Sequence, residues 1–450
     1  MHIRNKNCIK PYKGNPMYWQ YKEEPVLLLG GSKIDCVFLL DDLKDHLDEI
    51  ESAGGNYVRN TMSQRNKIEL KPYRLLESGK FDLNQWNEEY WKRFQNMLEW
   101  TYERNIIVQI EVWDRFDYSK SSWDHSPWNP SNNVNYSQEE SGFDLEYPKN
   151  PGADVQPFFH TISEHIRYKS NFDFLREYQE KFVLKMLSYS LDFPNVLYCM
   201  NNETSSPVHW GMFWINFIKR EAKKKGCEIY LTDMFNDFYD PEQSQNFQHV
   251  LENPHIYTYM DISQINSRNL GETHWERLKW IHDEVKAYPR PINNTKIYGN
   301  FYTSFGSGGP QDGVEKFMRD IIAGCASVRF HRPTSGIGLN QKAKATICAV
   351  RKIESLIKMW EVEPRMDLIL ERGYNESYVA ARPSEKYLVY ITFGEPVKLN
   401  LGPYPINYIV KWVDINTGEW GKEERITQSQ SVTLHAPGSG GWIAAIIRDV

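Results

Sequence analysis

The chain has 450 residues, of which 40% are hydrophobic and 25% charged, and its formal net charge is −6 at pH 7. Such a composition is typical of a folded globular protein and excludes a disordered chain. The acidic balance and the lack of a basic run argue against nucleic acid as a partner. No apolar stretch reaches the ~18 residues of a membrane span, so no membrane partner is expected. The sequence leaves the oligomeric state open.

The N-terminus and the cysteines bear on the compartment. Residues 1–15 are polar and basic and lack the apolar core of a signal peptide. We therefore expect a cytoplasmic protein, or a periplasmic or secreted one if a signal peptide has been removed. The six cysteines lie far apart without CxxC spacing, which predicts buried free thiols in a reducing compartment. No metal site and no cofactor is predicted.

The first predicted element is a β-hairpin. Ile9–Tyr12 and Met17–Tyr21 flank the turn sequence Lys13-Gly14-Asn15-Pro16. We assign residues 1–24 to this hairpin and expect it to close the bottom of the domain that follows.

Residues 25–363 then alternate between short apolar runs and amphipathic segments. Strict alternation predicts a parallel sheet, and eight units predict a closed (β/α)8 (TIM) barrel. The lack of a GxGxxG sequence after the first strand argues against a dinucleotide-binding sheet. The predicted strands are 25–31, 56–61, 106–113, 195–203, 228–233, 255–261, 291–298 and 326–331. The predicted helices are 40–53, 84–104, 172–189, 209–225, 273–287 and 341–360.

Residues 364–450 change to a period of two. Short alternating runs are separated by turn residues such as Asn416-Thr-Gly418, and no helix pattern intervenes. This pattern predicts a small antiparallel β-sandwich domain. The predicted strands are 378–382, 387–392, 397–401, 409–413, 431–434 and 442–447.

Polar residues gather where the predicted barrel strands end. The active site of such a barrel lies at the C-terminal ends of its strands, so these residues are the candidates for chemistry. They are Arg59, Asn60, Glu111, Trp113, Asp114, Asn202, Glu203, Asp233, Asp261, Ser263, Lys296, Tyr298, Arg329, His331 and Arg332.

Glu203 is the first candidate for an acid/base group. Glycosidic cleavage needs an acid that protonates the leaving oxygen and a second group on the other face of the sugar. Glu203 ends an apolar strand, and the neighbouring Asn202 amide can hold a sugar hydroxyl. The structural alternative is a strand-end Glu that only caps the next helix.

The Asn202-Glu203 pair after the fourth strand resembles clan A of the retaining glycoside hydrolases, as does Arg59-Asn60 after the second. Residues 326–339 are similar to a stretch in bacterial barrels of polysaccharide-utilisation systems. Those barrels often carry a C-terminal β-sandwich that is called a collagen-binding domain. The resemblance implies that Glu203 is the general acid/base of a glycoside hydrolase.

The seventh strand departs from this pattern. Clan A places its nucleophilic Glu there, whereas this sequence has Lys296. One explanation is that another carboxylate acts, with Asp261 preferred over Asp233, Glu111 and Asp114. A water held between two carboxyl groups would then give inversion. The others are elimination on a uronic acid by a carbohydrate lyase or dehydratase, and a glycan-binding protein without catalysis.

The cations among the candidates favour an anionic sugar, either a uronate or a sulfate ester. Lys and Arg neutralise the carboxylate beside the proton that an elimination removes, and His or Tyr can take that proton. The alternative for the arginines is pairing with barrel carboxylates. The aromatic residues of the long loop after the third strand, including Trp123 and Trp128, are predicted to form walls that stack on sugars. The predicted substrate-binding residues are Arg59, Asn60, Trp113, Asn202, Lys296, Tyr298, Arg329, His331 and Arg332.

Overall fold

A computed structural model describes residues 7–63, 70–150, 156–162, 173–301 and 306–449. The N-terminal strands are β1 (Lys10–Tyr12), β2 (Asn15–Tyr21) and β3 (Glu24–Val26). They form an antiparallel sheet in which β2 lies between the other two. Trp19 of β2 is fully buried, and its indole N–H donates to Asn293 Oδ1 at 2.8 Å at the start of a barrel strand. The N-terminal sheet, which has one strand more than the predicted hairpin, therefore packs against the bottom of the barrel.

The predicted barrel is confirmed. Its eight strands pair in parallel in two four-stranded sheets. Asn56 N donates to Leu29 O at 2.8 Å, and Thr258 N donates to Leu231 O at 2.8 Å, so both seams are joined and the ring closes. The strands are β4 (Leu28–Gly31), β5 (Tyr57–Thr61), β8 (Ile107–Asp114), β9 (Val196–Asn202), β10 (Leu231–Thr232), β11 (Met260–Asp261), β12 (Ile292–Ile297) and β13 (Ser327–Phe330).

Helices follow these strands on the outside of the ring. Asn340 caps the last of them, because its side chain accepts a hydrogen bond from Ala343 N at 3.0 Å. Four helices were not predicted from the sequence: two short ones after the third strand, and one each after the fifth and seventh strands. The helices are α1 (Leu43–Ser52), α2 (Glu88–Glu103), α3 (Lys120–Asp124), α4 (Gln138–Ser141), α5 (Asp173–Ser190), α6 (Val208–Lys224), α7 (Gln245–Glu252), α8 (Gly271–Val285), α9 (Pro310–Ile322) and α10 (Gln341–Glu354).

A hairpin interrupts the second strand–helix connection. Its strands are β6 (Tyr73–Leu75) and β7 (Phe81–Trp86), which pair in antiparallel fashion. The helix predicted to begin at Asn84 instead begins at Glu88, because Asn87 accepts from Glu89 N and forms the cap. The prediction extended the helical pattern too far toward the N-terminus.

Two antiparallel sheets follow the barrel. The larger has the order β14-β16-β17-β22-β19-β20 and the smaller β15-β18-β21. Tyr378 and Leu388 of the larger sheet join the barrel core, whereas their neighbours Val379 and Val389 face the core of the sandwich. This alternation confirms the predicted sandwich; the domain boundaries at residues 24 and 363 stay predictions. The strands are β14 (Glu363–Pro364), β15 (Ile369–Glu371), β16 (Ser377–Arg382), β17 (Lys386–Ile391), β18 (Val397–Asn400), β19 (Ile406–Asp414), β20 (Trp420–Ser429), β21 (Ser431–Leu434) and β22 (Trp442–Arg448).

Two further observations concern the described part of the chain. All six cysteines are free, and four of them are buried. No helix among the described residues has both the length and the apolar character needed to cross a membrane.

Candidate active site

A cavity of about 110 Å³ opens at the C-terminal ends of the barrel strands. Its walls come from the second, fourth and seventh strands and from the segments after the third and eighth strands. Most of the lining side chains are polar, and several carry charge. The lining residues are Arg59, Phe116, Asn202, Glu203, Lys296, Tyr298, His331, Arg332 and Ser335.

Glu203 follows the last residue of β9 and has a φ of 54°, in the left-handed region that non-glycine residues seldom adopt. Such a conformation costs about 1 kcal/mol or more and persists where the surroundings determine it. Its Oε1 accepts hydrogen bonds from Lys296 Nζ at 2.6 Å and from Tyr298 Oη at 3.1 Å. The seventh strand therefore holds the Glu203 carboxylate in a fixed position.

Lys296 occupies the seventh-strand position in which the resemblance predicted a nucleophilic carboxylate. Besides its ion pair with Glu203, its Nζ donates to Asn202 Oδ1 at 3.0 Å. The side chain is only 1% exposed. One buried ammonium group thus connects both members of the Asn202-Glu203 pair across the barrel.

These cations control the ionisation of Glu203. Burial is the largest single influence and raises the pKa of this carboxyl group, but the charge and hydrogen bond of Lys296, together with two arginines, outweigh it. With smaller contributions from Arg115 and Arg59, the pKa of Glu203 falls to about 2. Glu203 is therefore ionised at neutral pH in the free protein, whereas a general acid must carry a proton.

Arg59 is the centre of a buried ion-pair network. Its Nε and Nη2 each donate to the Glu111 carboxylate at 2.5 Å, and its Nη1 donates to Asp35 at 2.6 Å. Asp35 also accepts from Arg332. These two carboxylates neutralise Arg59 and hold its guanidinium at the cavity wall. Glu111, a predicted candidate for the second catalytic group, is thus already bonded to Arg59 through both carboxylate oxygens.

His331 is buried and neutral. Burial lowers its pKa well below the ordinary value, and the neighbouring arginines lower it further. Arg332 Nη1 lies 3.1 Å from His331 Nε2, and because a guanidinium can only donate, Nε2 must accept. The ring also makes an edge contact with Tyr298, with 5.1 Å between ring centroids.

None of the three aspartates predicted as a second catalytic group lines the cavity, and two of them, Asp261 and Asp233, are held by other partners. The Asp261 carboxylate lies inside the barrel and accepts from Gln109 Nε2 at 2.7 Å and from Thr295 Oγ1 at 3.1 Å. Asp233 is buried behind the fourth strand and accepts from Asn201 Nδ2 at 2.9 Å. Burial raises the pKa of Asp233 to about 7. Strand position placed both residues at the barrel mouth, but their side chains point away from the cavity.

Three other predicted binding residues also lie outside the cavity. Trp113 packs among the rings behind the third strand, with its centroid 5.2 Å from that of Trp214. Asn60 turns outward and accepts from Phe38 N at 3.3 Å. Arg329 is buried, and its Nη1 donates to Thr295 O at 2.6 Å. These side chains brace the barrel wall.

The described aromatic residues after the third strand are buried in the main hydrophobic core, so the predicted sugar-stacking wall is wrong for them. Trp123 is fully buried against Phe143, and Trp128 is 2% exposed. An exposed ring face is required for stacking, and these rings face each other instead. Composition alone could not distinguish the two arrangements, since both need many aromatic residues in one segment.

Sequence reasoning missed Phe116 and Ser335, which line the cavity, and Arg115 and Asp35, which act on its charged residues. Arg115 and Phe116 directly follow Asp114, so the end of the third strand was the available signal. No cluster of three or more His, Cys, Asp or Glu side chains that could hold a metal ion occurs within the described ranges.

Part of the chain matches a known sequence family. Residues 75–240 match the model of a domain of unknown function, DUF6298. No curated protein is similar in sequence to the chain.

Solved structures resemble the chain over nearly its whole length. A glycoside hydrolase family 5 protein from Bacteroides vulgatus has 11% identity and a TM-score of 0.62, covering 98% of this chain and 94% of its own. A second glycoside hydrolase has 10% identity and a TM-score of 0.64, covering 98% and 97%. A family 30 endoxylanase from Clostridium papyrosolvens has 11% identity and a TM-score of 0.50, covering 94% and 96%. The chain therefore has the fold of these glycoside hydrolases.

Proposed function

We propose that the chain is a glycoside hydrolase that acts on an acidic poly- or oligosaccharide, with Glu203 as its general acid/base. The observation that carries the proposal is the position of Glu203. It follows the fourth strand of a glycoside hydrolase-type barrel, and Lys296 and Tyr298 hold its carboxylate in the cavity.

The cavity wall supports an anionic substrate. Three cationic side chains line it, of which Arg59 is neutralised from behind by Glu111 and Asp35, whereas Glu203 is the one carboxylate among the described lining residues. A uronate or a sulfate ester is the sugar substituent that such a wall would bind, because charge-assisted hydrogen bonds to anions are strong. The cations are Arg59, Lys296 and Arg332.

Hydrolysis needs a second group that activates water. We assign this part to Asp114, which follows the third strand and is 2% exposed. Asn202 Nδ2 donates to Asp114 Oδ1 at 3.2 Å, so one amide connects Asp114 with the cavity wall. Asp114 would take a proton from a water that attacks the anomeric carbon, while Glu203 protonates the leaving oxygen from the other face of the sugar and the glycosidic C–O bond breaks, so the configuration would invert.

Elimination on a uronate is the second candidate, favoured by Lys296 at the seventh-strand position. A cation there would neutralise the sugar carboxylate and acidify the adjacent C–H. A base takes that proton, the C–O bond to the leaving sugar breaks, and a C=C bond forms. Tyr298, whose pKa burial raises well above the ordinary value, carries the proton for the leaving oxygen.

Product masses separate these chemistries. The protein is incubated with uronate-bearing and sulfated oligosaccharides and their neutral counterparts. Hydrolysis adds one water per cleavage, and elimination adds none and creates an ultraviolet-absorbing double bond. We expect hydrolysis of an anionic member and at least about a hundredfold loss of rate in Glu203→Gln. Glu385→Gln in the sandwich is the matched control. Binding without turnover would refute both enzymatic proposals and indicate a glycan-binding protein.

A further inference from the structure

Lys296 has hydrogen-bonding capacity left. An ammonium group carries three donors, and two of them are used, by Glu203 Oε1 at 2.6 Å and by Asn202 Oδ1 at 3.0 Å. The Lys296 side chain lines the cavity. The third N–H group of Lys296 is thus available to a ligand that enters the cavity. Such a ligand would share the Lys296 ammonium group with Glu203.

Arg332 offers a second donor at the same cavity. Its Nε donates to Thr334 Oγ1 at 2.7 Å, and its Nη1 is engaged by Asp35 and His331. Within the ranges that the structure describes, its Nη2 donates no hydrogen bond, and the side chain is 24% exposed. An anion in the cavity can therefore be received by two cations from neighbouring strands.

We infer that an anionic sugar bound at Lys296 and Arg332 causes Glu203 to take up one proton from solvent, so that substrate itself supplies the enzyme with its acid. This inference rests on the proposed function. In this step a solvent or buffer acid loses a proton, an O–H bond forms on the Glu203 carboxylate, and the ligand's negative charge replaces that carboxylate as the partner of Lys296.

Electrostatics gives the direction of this proton uptake. In the free protein Lys296 stabilises the ionised form of Glu203. A ligand anion shares that cation and places a like charge close to the carboxylate, and both effects favour the protonated form. A Glu203 that is ionised when free and protonated when bound fits the requirement for a general acid.

The other titratable groups near Glu203 are not expected to take up the proton when the anion binds. Tyr298 keeps its proton, because burial raises its pKa. His331 is neutral, and the adjacent arginines oppose its protonation. Asp35 is held by two arginines. The charged and titratable groups that face Glu203 or share its cavity are Lys296 on β12, Tyr298 directly after it, Arg59 on β5, Asp114 and Arg115 at the end of β8, and His331 and Arg332 after β13.

A consequence is selection for charge. A neutral saccharide that fits the cavity leaves the Lys296–Glu203 pair intact, so Glu203 stays ionised and cannot protonate a leaving oxygen. Anionic saccharides are then preferred in turnover and not only in binding. A wall that merely attracts anions would change KM and leave kcat alone.

Calorimetry measures the proton directly. Binding is titrated at about pH 6, above the ordinary pKa of Glu, in buffers of differing ionisation enthalpy. The probes are the methyl glycosides of glucuronate and galacturonate, a sulfated methyl glucoside and neutral methyl glucoside. We expect uptake approaching one proton per bound anion in the unmodified protein and none for the neutral glycoside. In Glu203→Gln we expect anion binding without uptake.

Lys296→Met provides a second readout, and Lys398→Met on the exposed side of the sandwich is its control. We expect at least about tenfold weaker binding of the anion and no proton uptake, because the cation that kept Glu203 ionised is gone. Folding of each variant is checked by circular dichroism.

Three results would overturn the inference: binding of an anion without uptake, the same uptake in Glu203→Gln, or no binding of any anionic probe. Hydrolysis without uptake would refute this inference and leave the proposed function standing. Uptake without any cleavage would uphold the proton step and refute the hydrolase.

Discussion

Removing Lys296 should make the stability of the protein depend on pH in a defined way. The pKa of Glu203 is about 2 instead of the ordinary 4.5. At ~1.36 kcal/mol per pH unit, this difference corresponds to about 3 kcal/mol of stabilisation. Because the pKa is lowered on folding, this contribution is fully present above pH 4.5 and is lost as the pH falls toward 2. Lys296→Met should therefore cost about 3 kcal/mol at neutral pH, in line with the loss of one partner from a buried pair.

Urea denaturation at neutral pH and near pH 3 tests this magnitude. From the linkage relation we expect the cost of Lys296→Met to fall to roughly half of its neutral value near pH 3. The double variant Lys296→Met/Glu203→Gln should recover at least half of the loss at neutral pH, since no buried charge is left unpaired. Lys398→Met serves as the control for the loss of one positive charge. An equal cost at both pH values, or no recovery in the double variant, would refute the reasoning.

Other substitutions test the remaining contacts. Gly211→Ala places a Cβ 2.0 Å from Asp233 Oδ2, so we expect urea denaturation to show a loss of about 2 kcal/mol or more; an unchanged midpoint would contradict the close contact. Arg59→Met leaves the buried Glu111 without its cation and Asp35 with Arg332 alone, and should cost about 3–5 kcal/mol in the same assay; an unchanged midpoint would contradict the ion-pair network. Trp19→Ala should lower the free energy of unfolding by about 3–5 kcal/mol. A loss as small as that of a surface substitution would show that the indole is not buried at the bottom of the barrel. Trp113→Phe should leave KM for an active saccharide unchanged, because the ring lies behind the third strand; a large rise in KM would return it to the binding site.

The hydrophobic pattern of the sequence was sufficient to predict the barrel and the sandwich. Alternation of apolar runs with amphipathic helices predicted the parallel barrel, and the change to period two after Glu363 predicted the sandwich, because both periods are local properties of strands and helices. The mostly exposed strand β20 escaped prediction, since its polar sequence lacks an apolar alternation. Helix α9 also escaped prediction, and it buries charged residues such as Lys316 and Arg319, which a sequence pattern would assign to solvent.

The sequence also placed Glu203, Asn202 and Lys296 at strand ends, which was sufficient to bring them to the barrel mouth. It could not say which side chains at those ends turn inward. Asp261 and Trp113 lie at predicted strand ends just as Glu203 does. The Asp261 carboxylate nevertheless forms hydrogen bonds inside the barrel, and the Trp113 ring packs outside it. The direction in which a side chain points at a strand end depends on the local twist of the strand and on the neighbouring residues that closure of the barrel brings next to it.

Charge state was decided by tertiary structure. Lys296 and Glu203 are 93 residues apart in sequence, and only closure of the ring brings their charged atoms to 2.6 Å. A carboxyl group that the sequence marked as an acid thereby becomes an ionised partner of a buried lysine. Sequence fixes which ionisable groups are present, whereas the pKa of each depends on the distances and burial that folding creates.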